Sequence, residues 1–143
     1  MPLSHLQPAA AAALATWHQM IAARDLSNLP SIIDPHASFR SPMAHTAYES
    51  AAAVVLVLET AFAVFENFTY HRELATDDGL SVVLEFSATI GDRALKGIDL
   101  IRFSDAGKII EFEVMVRPMS GLEALGTEMA KRVGQTLPGF KAK

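Results

Sequence analysis

Asp99 stands in the segment Gly97-Ile98-Asp99-Leu100-Ile101-Arg102-Phe103, whose apolar and β-branched character is that of a strand. Alternation puts Gly97, Asp99, Ile101 and Phe103 in one row and Ile98, Leu100 and Arg102 in the other. Both rows are largely apolar, so periodicity alone leaves open which way Asp99 points. Turned inward, it is a carboxyl group in an apolar layer, where burial disfavours the charged form and raises the pKa. Such a group is a candidate acid or base. Turned outward, it is an ordinary surface aspartate.

The other chemistry-bearing side chains are scattered. Trp17 falls with Leu14, His18 and Ile21 on one helical stripe, and its indole N–H suits a ligand or Asp99; the plainer reading is core packing. His18 follows it, and His36 and His45 flank a short strand; an imidazole is a general base near neutrality. Each reads singly as a surface histidine, with His45 in the Pro42-Met43-Ala44-His45 loop preferred as one that reaches a pocket. His71, next to Tyr70 and Arg72, is expected on the opposite side. No His-x-His or His-Glu-x-x-His spacing occurs, so a metal site is not expected. A Walker loop and a Gly-x-Gly-x-x-Gly are also missing, so no cofactor is expected.

These residues need a scaffold. Helical composition runs from Ala9 to Arg24 behind Pro8, a shorter helix is expected over Leu26–Ile33, and a long one over Tyr48–Glu66. The last is apolar almost all round, which requires burial on more than one side. A short strand is expected over Ala37–Ser41, ended by Pro42. Phe68–Ala75, Leu80–Ile90, Ala94–Phe103 and Lys108–Arg117 then read as strands joined by tight turns, an antiparallel four-strand meander. Helices followed by hairpins make an α+β domain. The rows Val82, Leu84, Phe86, Ala88 and Phe112, Val114, Val116 should face the helices. The opposite rows hold Glu85, Glu113 and Arg117 but also Val83 and Met115, which suggests a partner subunit over the outer face. Arg40 is read as interfacial. A final helix is expected over Leu122–Val133, with a loose tail from Gly134.

Composition narrows the function. The chain has 143 residues, half of them apolar, a net charge of −4 and no cysteine. That is one domain's worth of chain, without disulfides or a thiolate nucleophile. Twelve basic against sixteen acidic residues argue against nucleic-acid binding. The first lysine or arginine is Arg24, and no apolar run approaches the roughly 20 residues of a membrane span. The expected location is cytoplasmic.

The order of elements, the strand end Phe39-Arg40-Ser41-Pro42 and the segment Gly97–Phe103 followed by Ala106-Gly107-Lys108-Ile109-Ile110 resemble the nuclear transport factor 2-like superfamily, and within it the SnoaL-like branch. The resemblance covers residues 8–122, with 123–143 left as C-terminal helix and tail. It implies a cone-shaped, curved antiparallel sheet packed on three N-terminal helices. It further implies a small apolar ligand in the mouth of the cone and a homodimer through the outer sheet face. The branch hosts many activities on one scaffold.

Ile98–Phe103 resembles the Ile-Asp-Val-Met-Arg-Phe segment of ketosteroid isomerases, which matches Asp99 to their oxyanion-hole acid. Ser41 stands where those enzymes carry their aspartate base, and Trp17 where they carry a tyrosine. The acid–base pattern of the cyclases is also missing, since Glu111-Phe112-Glu113-Val114 occupies its place. The expectation is a pocket lined by Trp17, Phe39, Ser41, Met43, His45, Phe86, Phe103, Val114 and Val116. Asp99 is the candidate catalytic residue. The corresponding activity is cofactor-free isomerase- or cyclase-type chemistry next to a carbonyl; the alternative is a non-catalytic ligand-binding or dimerisation module.

Overall fold

A computed structural model describes residues 5–136. Helix α1 (Pro8–Ala23) begins with Pro8 in its first turn and ends at Arg24 in a left-handed cap. A single 3-10 turn, Leu29–Ile32, leads into β1 (Ile33–Arg40). A two-residue strand, β2 (Tyr48–Glu49), precedes α2 (Ala51–Val64), whose start is capped by the Ser50 hydroxyl accepting from the Ala53 N–H at 2.9 Å. Then come β3 (Glu66–Ala75), β4 (Ser81–Ile90), β5 (Arg93–Phe103), β6 (Ile109–Arg117) and α3 (Met119–Val133).

The expected meander is present as β3 to β6, but the sheet is larger and mixed. Its order is β2-β1-β6-β5-β4-β3, and β1 runs parallel to β6. The sheet is therefore not wholly antiparallel. The helix expected over Leu26–Ile33 shrinks to the 3-10 turn because the strand already starts at Ile33. Pro35 lies inside that strand, where the register against β6 is irregular between Ile33 and Ser38 and no ladder N–H is required. The helix expected from Tyr48 starts three residues later, since Tyr48 and Glu49 pair with Phe39 and Ser38.

The inner face of the sheet is the core. Val82, Leu84, Phe86 and Ala88 are all buried, as are Phe112 and Val114, so the face assignment from alternation holds. Phe86, Phe103 and Phe112 are at most 1% exposed, and each such ring contributes about 1.5–3 kcal/mol by burial. The all-round apolar α2 packs between β1 and α3. Two hairpin turns hold the start of α1. Gly79 and Gly107 have φ of +72° and +77°, and a Cβ on either would lie 2.4 Å from a backbone carbonyl oxygen, that of His5 or of Ala9. The Gln7 N–H also donates to the Gly79 carbonyl at 2.8 Å. The part of the expected tail beyond residue 136 lies outside the described residues.

Candidate functional site

On β5, Asp99 lies opposite Leu84 of β4 and Val114 of β6, both inner-row residues, and is 6% exposed. The ambiguous carboxylate points inward. Tyr70 of β3, opposite the inner Phe86, donates its hydroxyl to Asp99 Oδ2 at 2.6 Å. Trp17 of α1, packed edge-on against Phe112, donates its indole N–H to the Tyr70 oxygen at 2.9 Å. An indole N–H is a donor only, so the direction is fixed: Trp17 gives to Tyr70, and Tyr70 gives to Asp99.

Burial pushes the Asp99 carboxyl up to about 7, against the opposing effect of the Tyr70 hydrogen bond. Burial and then the Asp99 charge push the Tyr70 phenol well above its usual range. Tyr70 thus stays a neutral donor, and Asp99 is the member of the chain that titrates near neutrality.

These groups border a half-open cavity of about 240 Å³. Phe62, Phe65, Phe68, Phe39 and Phe112 form its aromatic wall, and α2 adds Val57, Leu58 and Ala61. Leu125, Gly126, Met129 and Ala130 of α3 roof it, facing Ser41, Pro42 and Met43 from the loop after β1. Among the described residues Asp99 is the one carboxylate in the lining. Among the described residues no three His, Asp or Glu side chains converge in a way that could hold a metal ion.

Of the residues expected to line the pocket, Trp17, Phe39, Ser41, Met43 and Val114 border this cavity together with Asp99. Four do not. Phe86 is fully buried, stacked beneath Phe68 at 5.0 Å, so that Phe68 takes its place at the surface of the cavity. Phe103 is equally packed away, and Val116 sits beside Gly97, one step beyond Val114. His45 is exposed in its loop. The Ser41 hydroxyl accepts the Met43 N–H at 2.9 Å and so shapes the loop. Trp17 both packs and donates, reaching Asp99 through Tyr70 rather than directly. His36 is exposed, His18 pairs with Glu73 on the inner side of β3, and His71 reaches Ser87 on the outer face.

Sequence reasoning missed Tyr70. The signal was the Phe68, Tyr70 alternation in a β-rich run, which puts both rings in one row. It also missed α3 as the roof.

A sequence profile of the SnoaL-like domain matches residues 14–112. The chain belongs to the SnoaL-like domain family. A steroid delta-isomerase from Pseudomonas aeruginosa is 60% identical, with a TM-score of 0.89 over 93% of this chain and 97% of that one. An uncharacterised protein with a cystatin-like fold from Silicibacter pomeroyi is 25% identical (TM-score 0.84; 97% and 98% covered). An NTF2-like protein from Mesorhizobium loti shares the fold at 15% identity (TM-score 0.68; 78% and 93% covered). No curated protein matches. The SnoaL-like profile ends at Phe112, so the cavity roof on α3 lies beyond the matched segment.

Proposed function

We propose that this SnoaL-like protein binds a small apolar ketone in the cavity and catalyses a cofactor-free proton shift next to its carbonyl, with Asp99 as the acid–base group. The observation that carries this reading is that one buried carboxyl, pushed up to about 7, is the only carboxylate that the described residues bring to a largely apolar lining. A base with that pKa is strong yet still partly ionised at neutral pH. The 60% identical steroid delta-isomerase supports the same class of reaction.

In this scheme the Asp99 carboxylate removes a proton from the carbon beside the carbonyl, and the C–H electron pair moves into an enolate. Neutral Asp99 holds the Tyr70 hydroxyl less strongly, so that O–H turns to the enolate oxygen, strengthened as a donor by the Trp17 N–H. Asp99 then returns the same proton to the far carbon of the enolate system, and the double bond moves. At about 240 Å³ the cavity lies just below the roughly 300–1,000 Å³ usual for ligand pockets, so a multi-ring ligand would extend through the open side.

Conversion of β,γ-unsaturated ketones to conjugated enones, followed by ultraviolet absorbance, tests the scheme. Asp99→Asn should lower turnover by about 10²–10⁴-fold. Equal turnover in the variant would overturn it. Two observations favour a second reading, a non-catalytic ligand-binding module: Ser41 precedes Pro42, and among the described residues no second carboxylate borders the cavity. Tight binding of such ketones without conversion would establish that reading.

The proposal extends to assembly as a homodimer. Met115 is 45% and Leu74 is 56% exposed on the outer face, near the half-buried Val83, Ile98 and Leu100, and this apolar band supports a second copy over the sheet. Among the described residues no helix is long and apolar enough to cross a membrane. The reading keeps the cytoplasmic location expected from the sequence.

A further inference from the structure

We infer that His18 and Glu73 are positioning residues for the Tyr70–Asp99 pair, brought into place by a bulge in β3. The inference rests on the reading of Asp99 as the chemical group of the cavity. Tyr70 lies opposite Phe86 and Glu73 opposite Leu84, so three steps along β3 match two along β4. Phe86 and Leu84 are both inner-row residues, and Tyr70 and Glu73 therefore project to the same face despite their odd separation. In a regular strand Glu73 would point outward and Leu74 inward; here Leu74 is exposed.

The two residues displaced by the bulge both turn outward. His71 reaches the Ser87 hydroxyl at 2.7 Å. Arg72 grips Glu85 with two side-chain hydrogen bonds of 2.9 and 2.7 Å, and Lys96 holds the same carboxylate at 3.1 Å. The bulge is thus pinned from outside. On the inside, Glu73 pairs with His18, the neighbour of Trp17 on α1. The His18 ring meets the Tyr70 ring edge-on at 5.4 Å, and Phe68 meets Tyr70 in the same manner at 4.9 Å.

Tyr70 is consequently held at both ends. Trp17 and Asp99 fix its hydroxyl, while His18 and Phe68 bracket its ring. Glu73 fixes His18. Adjacent residues of α1 therefore grip two residues of β3 that share a face only because of the bulge. Bulges of this kind re-aim side chains beside functional sites.

The test follows Asp99 by carboxyl carbon NMR in the unliganded protein, with the Tyr70 hydroxyl proton as second readout. Loss of the position weakens the Tyr70 hydrogen bond, so Glu73→Ala and His18→Ala should raise the Asp99 midpoint by about half to one pH unit. The hydroxyl resonance should be lost with it. Glu73→Gln, which can still hydrogen-bond His18, should keep the wild-type midpoint. An unchanged midpoint in both alanine variants would overturn the inference. So would a fall, or a Glu73→Gln shift as large as that of Glu73→Ala, because the charge of Glu73 and not its geometry would then be acting. Should the alanine variants fail to fold, Arg72→Ala releases the bulge from the exposed side, with the same upward shift expected and an unchanged midpoint again decisive against it. Neither readout requires turnover, so failure here is separate from failure of the proposed reaction.

Discussion

The indole nitrogen of Trp17 lies 2.9 Å from the Tyr70 hydroxyl oxygen, and this contact orients a hydrogen-bond chain built from α1, β3 and β5. Trp17 is also the sole tryptophan of the chain. Its emission should follow the ionisation of Asp99, with a midpoint near pH 7. Asp99→Asn and Tyr70→Phe should each abolish that transition. A transition that survives both would belong to another group.

Asp99 costs stability where it is charged. Its folded pKa of about 7 lies above the ordinary 3.8, so the native state binds the proton more tightly than the unfolded chain does. The stability it contributes is complete below about pH 4 and is lost as pH rises through 7. Asp99→Asn should therefore be more stable than the wild type by about 2–4 kcal/mol at pH 8, and nearly equal at pH 4. Urea unfolding at the two pH values checks this; a variant less stable at pH 8 would contradict it.

Two glycines should respond oppositely to alanine. At Gly97 a Cβ would meet the Met115 carbonyl oxygen at 2.5 Å and the Phe86 ring at 2.6 Å, so Gly97→Ala should cost about 1–3 kcal/mol. At Gly126 the obstacle is the Met43 methyl at 2.5 Å, the far end of a half-exposed flexible side chain that can swing away. Gly126→Ala should gain up to about 1 kcal/mol from helix propensity. Thermal unfolding decides both signs.

Charge on the outer apolar band should separate the subunits of a homodimer. Val83→Glu and Met115→Glu each place an unpaired carboxylate in the proposed contact. Sedimentation should show monomers for both; unchanged association would exclude this face.

Alternation made the inner rows of β4 and β6 legible, because a carboxylate or a turn rarely interrupts them. Asp99 was legible as a candidate and not as an orientation, since Ile98 and Leu100 on its other side are as apolar as Ile101. Glu73 was illegible for a different reason. A bulge changes the parity of a strand without leaving a signature in composition, and period-two reading then assigns Arg72 and Glu73 to the wrong faces. The parallel pairing of β1 with β6 is likewise a long-range choice that no local pattern encodes. The cavity roof on α3 depends on how a helix docks after the last strand, and its small residues look unremarkable in sequence.

The clamped start of α1 has a reach beyond its own neighbourhood. A helix is stiff along its axis, and Trp17 lies about 14 Å of helical rise from Pro8. A methyl group forced into the turn at Gly79 or Gly107 shifts that rod, and the shift is delivered to the indole further along it. Damage in a distant hairpin would then be felt as a change of acidity in the hollow, and a survey of variants scored only by acid–base behaviour would map the far rim of the sheet as part of the reaction centre.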